Sequence, residues 1–340
     1  MNRLAALAET AHQERDPDKA SMVFNGAALV ASDCGDTELA RAWCHRHANL
    51  YLGKVRLNSY TARFALEPII NLARLRIRAG DSDGAYRMLT DLHKAVLCGN
   101  RTAVDDLEIH PRQLPTDPSE LEQIIKWLRG VLLSDGTRAL TLAGRWTDAL
   151  NHVHRYDGIG PNLLDGRQIA VAVHLIQGDT SSAATFLDQA KIEQPWERPV
   201  HDLLQHWHAL TVGAAPTTNP TDLINRTSPT PEALGLAVFR VRLNLTALDL
   251  DSNAPPHATD KVIKRLAEDV LRSEDAHAAR DLLNHPAIQA EHHRPLTQLI
   301  KASGLGQGHL PDPARKGLSL AIDSAETVLH SAYRSGRPQR

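Results

Sequence analysis

Residues 72–89 read "LARLRIRAGDSDGAYRML". Apolar residues at three- and four-residue steps precede Gly80, and a second such pattern follows it. Gly80 is placed to end the first helix, because glycine accepts the left-handed conformation that closes a helix C-terminus. Asp81 is placed to cap the next helix through its carboxylate. Ala85, five residues after the glycine, is small enough to let the two helices approach closely. The stretch therefore predicts a helical hairpin with a tight turn.

The same Gly-to-Ala interval recurs along the chain. "CGDTELARAW" supplies Gly35 and Ala40, "AGRWTDALNH" Gly144 and Ala149, and "QGDTSSAATF" Gly178 and Ala183. A weaker copy, "RSEDAHAARD", has Ser273 and Ala278 in the two positions. Each copy lies between apolar helical patterns, so the expectation is an array of helical hairpins.

This pattern resembles the tetratricopeptide-repeat superfamily. Gly144 and Gly178 are 34 residues apart, the length of that repeat. The intervals of 45 from Gly35 to Gly80 and 64 from Gly80 to Gly144 imply insertions, and most of the family's aromatic starting residues are missing. The resemblance implies an all-α, right-handed superhelix of helix-turn-helix repeats with a C-terminal capping helix. It also implies a concave surface lined by the first helix of each pair, suited to binding a peptide or protein segment.

Composition agrees with helices. Aromatics are 4% of the 340 residues, so the apolar mass is Leu, Ala, Val and Ile rather than the aromatics that sheets favour. The formal net charge of -2 and the lack of a basic stripe argue against nucleic acid as a partner. No run reaches the ~20 apolar residues of a membrane span and the N-terminus has no signal-peptide core, so no membrane partner and a cytoplasmic location are expected.

Two stretches break the helical pattern. Residues 98–119, with an acidic cluster at Asp105, Asp106 and Glu108, and the Pro/Thr-rich 213–232 read as loops or linkers. The expected organisation is N-terminal repeats over 1–97, middle repeats over 120–212, a C-terminal helical block over 233–334 and a disordered tail over 335–340. In the block, Leu320, Ala321, Ala325, Val328, Leu329 and Ala332 share one face of a terminal capping helix.

"ARAWCHRHANLYL", residues 40–52, gathers Trp43, Cys44, His45 and His47. A zinc site needs about four ligands, and no matching pair stands elsewhere. The expectation is a packed helix with a hydrogen-bonded His47. No glycine pattern for a phosphate or dinucleotide is present, so neither metal nor cofactor is expected.

Binding candidates come from a polar stripe. In "SYTARFALEPIINLARLRIRAG", Arg63, Glu67, Asn71, Arg74 and Arg78 recur at helical steps among apolar neighbours. Such a line reads as the lining of a groove. Asn71, Arg74 and Arg78 offer an amide and two fork-shaped donors for anionic peptide groups. Later first helices add Lys126, Arg129 and Arg138, then Arg240 and Asn244. Asp165, Arg167 and Gln168 sit where a helix starts after a glycine-rich turn. The expected function is a non-catalytic, peptide-binding adaptor. The alternative is an enzyme or accessory factor of a metabolite pathway with an Arg/His-lined pocket, its acid or base drawn from His47, His152 and His174.

Overall fold

The structure, a computed structural model, describes residues 2–52, 57–214, 236–250 and 256–334. All of the 213–232 stretch after its first two residues, and the 335–340 tail, lie outside the described residues. The chain is predominantly helical and divides into two compact units, one of residues 1–152 and 306–340, the other of 153–305.

The first unit opens with α1 (Asn2–Glu14), α2 (Pro17–Cys34), α3 (Thr37–Leu52), α4 (Ser59–Arg78) and α5 (Ser82–Cys98), each packed on the next. A β-hairpin follows, β1 (Thr102–Val104) and β2 (Leu107–Ile109), then α6 (Pro118–Val131), a π-helical turn over Leu132–Gly136 and α7 (Thr137–Leu142). α8 (Trp146–Arg155) follows, with its residues through His152 in this unit. The second unit holds α9 (Asp165–Ile176), α10 (Thr180–Asp188), α11 (Glu197–Thr211), α12 (Ala237–Leu250), α13 (Pro256–Ser273), α14 (Ala276–Leu283) and α15 (Ala290–Ser303). The last helix, α16 (Asp312–Arg334), belongs to the first unit.

The Gly-to-Ala turn is built as its sequence suggests. Gly35, Gly80, Gly144 and Gly178 all have positive φ. At each, two backbone N–H groups reach back to the preceding helix, as Gly80 N–H to Ile77 O and Asp81 N–H to Arg76 O. This leaves few orphan carbonyls at the helix end. The alanine N–H of each copy then closes the first turn of the next helix, and Ala40, Ala85, Ala149 and Ala183 are fully buried. The fifth copy sits one residue later than expected. Glu274 has the positive φ, Asp275 caps α14 and Ala279 takes the alanine position. A further copy joins α1 to α2: Arg15 has φ 54°, Asp16 is the cap and Ala20 is fully buried. A non-glycine residue in the left-handed position hid both registers.

Three expectations about domains differ from the structure. Residues 98–119 are not a linker. Val104, Leu107, Ile109 and Leu114 are buried, and the strands pack on α5 and α3. The turn residues Asp105 and Asp106 both have positive φ, which gives the two-residue turn that fits strand twist. Asp105 then accepts from Arg41 at 2.8 Å and Arg76 at 3.3 Å, with His45 Nε2 at 3.0 Å. The acidic cluster is thus a clasp on α3 and α4. Second, α16 does not cap a C-terminal block. It packs on α1 and α2, and Arg46 of α3 pairs with Asp323 and Glu326. Third, Leu320 points outward at 62% exposure, and Leu318 and Ile322 fill the buried stripe instead. The loop before α16 docks at the α2–α3 turn, where Gly306 and Gly308 donate to Asp33 O and Cys34 O. A Cβ on Gly35 would come within 3.1 Å of the Gly308 backbone, so this glycine serves both φ and close approach.

Candidate functional site

The polar stripe of α4 faces α2. Asn58 starts α4 by accepting from Thr61 N–H at 2.8 Å, and burial of Leu66, Ile69, Ile70 and Ala73 fixes the helix rotation. Glu67, Asn71, Arg74 and Arg78 then form one wall of a cleft of about 290 Å³. The opposite wall is α2, through Asn25, Gly26, Ala28, Leu29 and Ser32, and Cys44 of α3 also lines it. The partners fix the helix direction: Asn25 meets Glu67 and Asn71, while Ser32 and Asp33 meet Arg78. α2 and α4 therefore run parallel, with the intervening α3 returning between them.

A directed hydrogen-bond chain crosses the cleft. Arg74 Nη1 donates to Asn71 Oδ1 at 3.0 Å, Asn71 Nδ2 to Asn25 Oδ1 at 3.1 Å, and Asn25 Nδ2 to Glu67 Oε2 at 2.9 Å. An arginine only donates and a carboxylate only accepts, so the ends of the chain dictate how both amides point.

Both guanidinium groups already hold a carboxylate. Arg74 reaches Asp135 Oδ2 through Nε at 3.0 Å and Nη2 at 2.8 Å, and Arg78 Nη1 donates to Asp33 and Ser32 at 2.7 Å. Asp135 is delivered by the π-helical turn. His152 reaches the same turn, its Nε2 lying 2.8 Å from Leu132 O. That nitrogen must carry the hydrogen, because a carbonyl only accepts, and Tyr86 OH lies 3.1 Å from the other ring nitrogen, Nδ1. Asp135 is buried whereas Arg74 is 46% exposed in its side chain, so the pair anchors the rim of the cleft from below.

The other stripe candidates do not line this cleft. Arg63 lies over the Trp127 ring at 5.3 Å. Lys126 and Arg138 are exposed on α6 and α7, and Arg129 is half-buried beside His93. Burial first, and Arg129 second, hold the His93 imidazole below its usual range.

The candidates of the second unit serve its own packing. Arg167 is buried; Nε and Nη2 donate to Gly160 O at 2.9 and 2.7 Å, and Nη1 donates to Phe186 O at 2.8 Å. Gln168 donates to Leu163 O at 2.8 Å, and Asp165 is exposed at the start of α9. Arg167 and Gln168 thus hold the turn before α9 instead of offering donors to a ligand. Arg240 and Asn244 are buried on α12, whose two faces join separate apolar clusters: Ala237, Val241 and Leu245 in one, Leu243 and Ala247 in the other. Asn244 donates to Arg240 O of its own helix at 2.7 Å, and burial lowers the Arg240 pKa from its ordinary value.

The reactive-looking residues 43–47 also resolve. Burial, with Asp105 adding to it, pushes the Cys44 thiol up to about 12, so it stays protonated in the cleft wall. His47 is fully buried, stacked on Phe24 at 4.8 Å and edge-on to Tyr51 at 5.6 Å. Neither ring nitrogen has a hydrogen-bond partner among the described residues, contrary to the hydrogen-bonded histidine expected from sequence. Burial lowers its pKa to about 3. His152 lies between Tyr86 and Leu132, and His174 stacks on Phe186 with Asp179 3.2 Å away. None of these three histidines lines the cleft.

Sequence reasoning missed Asn25, Leu29, Ser32 and Asp135. The first three were readable, since they recur on α2 at steps of four and three. Asp135 was not, because a π turn shifts the face on which it emerges. Among the described residues no group of His, Cys, Asp and Glu is placed to hold a metal ion, and no helix is long and apolar enough to cross a membrane. Comparison of the chain with protein-family models, curated proteins and solved structures returned no match.

Proposed function

We propose that this chain is a non-catalytic adaptor or scaffold that binds a peptide or protein segment in the α2–α4 cleft. In this reading the hairpins belong to a right-handed superhelix of the tetratricopeptide kind, and parallel first helices line its binding face. One observation carries the reading. The cleft joins aliphatic wall residues, including Leu29 at 50% exposure, to half-exposed hydrogen-bonding groups already ordered by one another. A preordered polar wall lowers the conformational cost of binding, and an apolar rim supplies the drive. The volume suits a side chain with its flanking backbone rather than a whole helix.

Selection of a displayed random-peptide library on the wild-type protein tests this. Leu29→Glu places a charge on an exposed rim position and leaves the core untouched. Selected peptides should lose at least about tenfold in affinity on Leu29→Glu and on Arg78→Glu. If every selected peptide binds both variants as tightly as wild type, the cleft is not the binding site.

A further inference from the structure

The charges of the cleft point to the chemistry of what enters it. Three charged side chains line the walls: Glu67, Arg74 and Arg78. Arg74 is offset by Asp135 and Arg78 by Asp33. Among the described residues, Glu67 has only the neutral Asn25 amide, on Oε2. An anionic ligand would therefore have to displace Asp33 or Asp135, or share a guanidinium with it, and would enter a cleft that already carries an excess carboxylate. A cation meets no such barrier, and it offsets a carboxylate that is partly removed from water.

The apolar part of the cleft sets the rest of the ligand. Leu29 stands one helical turn beyond Asn25, and Leu75 two turns beyond Glu67, on the parallel partner helix. An alkyl chain lying along the cleft from Glu67 would run about 6–12 Å over these residues. At its far end is Arg78, whose Nη1 is engaged with Ser32 and Asp33 while Nε and Nη2 remain to donate to a carbonyl oxygen.

We infer that the α2–α4 cleft takes an alkylammonium group, with Glu67 Oε1 as its acceptor, the Leu29–Leu75 segment around its methylenes and Arg78 on a neighbouring carbonyl. This rests on the cleft being a binding site and sharpens it: the ligand chemistry is that of a lysine side chain or a free primary amine of similar length. It replaces the anionic preference that Arg74 and Arg78 suggest when read without their partners.

The test titrates doubly blocked Ala-Lys-Ala, Ala-norleucine-Ala and Ala-Glu-Ala, together with n-hexylamine, into the full chain, observed by NMR shifts of residues lining the cleft. The lysine peptide should bind about tenfold or more tighter than the norleucine peptide, the worth of a charge-assisted hydrogen bond. Glu67→Gln should remove that difference while its thermal melt stays near that of wild type. Binding of the lysine peptide well above hexylamine assigns the site to peptides. Equal binding assigns it to free amines. If the glutamate peptide binds best and Arg78→Gln abolishes it, the ammonium assignment is overturned and the cleft remains a binding site. If no probe moves the cleft resonances at millimolar concentration, both the assignment and the cleft reading fall.

Discussion

The walls of the α2–α4 cleft and the turn ahead of α9 both place arginine beside amide side chains on a helix, and they use them in opposite ways. In the cleft, Arg74, Asn71, Asn25 and Glu67 bond to one another's side chains, and the guanidinium groups stay half exposed. At the turn, Arg167 and Gln168 are spent on the backbone carbonyls of Gly160, Phe186 and Leu163. Arg167 is itself buried and its donors are held by backbone carbonyls, so it is part of the fold. A side chain that serves another side chain at the rim can exchange that partner for a ligand. The identity of the partner atom, more than residue type, separates the two roles.

His47 extends the folding side of this contrast and carries the largest expected effect. Its folded pKa of about 3 lies below the ordinary histidine value, so only the unfolded chain gains a proton between about pH 6.5 and 3. The stability associated with neutral His47 is full above about pH 6.5 and is lost as pH falls toward 3, by an amount on the order of 4 kcal/mol. Urea unfolding of wild type and His47→Phe across that range should show a steeper loss in wild type. Parallel curves would remove His47 from the buried class.

Arg167→Ala comes next. It removes a buried guanidinium that donates to Gly160 O and Phe186 O and should cost about 3 kcal/mol, whereas Arg78→Ala at the half-exposed rim should cost under about 1 kcal/mol. Equal losses in urea titrations of the two variants would erase the distinction between an arginine held by backbone carbonyls and one held by side chains at a rim. At the turns the effects are smaller. Gly80→Ala meets no neighbouring atom within 4 Å, so its cost of about 1 kcal/mol reports left-handed backbone alone. Arg15→Gly relieves the same strain in reverse and should raise stability by about 0.5 kcal/mol. A thermal melt in which Arg15→Gly destabilises would mean that this turn is held by the arginine side chain and not by its backbone conformation.

Much of the fold was legible because helix ends are local. Gly80, Asp81 and Ala85 act within a few residues of one another, so their spacing alone announces a turn. Arg15 and Glu274 escaped because the same backbone conformation can be imposed on an unsuited residue by the helices on either side. The hairpin at 102–109 escaped because its two-residue turn uses Asp-Asp, whose left-handed conformation is supported by Arg41, His45 and Arg76 from distant helices. In the cleft, the α4 stripe was readable from helical spacing. Its charge balance was not, since Asp33 and Asp135 reach it from other elements.

Sequence by itself determined that the chain is helical, where most of its hairpin turns fall, and that α4 carries a polar line in an apolar helix. Those properties depend on periodicity and on backbone preferences over a few residues. Tertiary structure decided that α16 covers α1 and α2, that His47 is a packing ring, and that Glu67 rather than Arg74 or Arg78 is the cleft charge without an opposite among the described residues. Burial and ion pairing depend on which surfaces meet. Residues far apart in the chain, 61 positions for Arg74 and Asp135, meet only once the whole unit has packed.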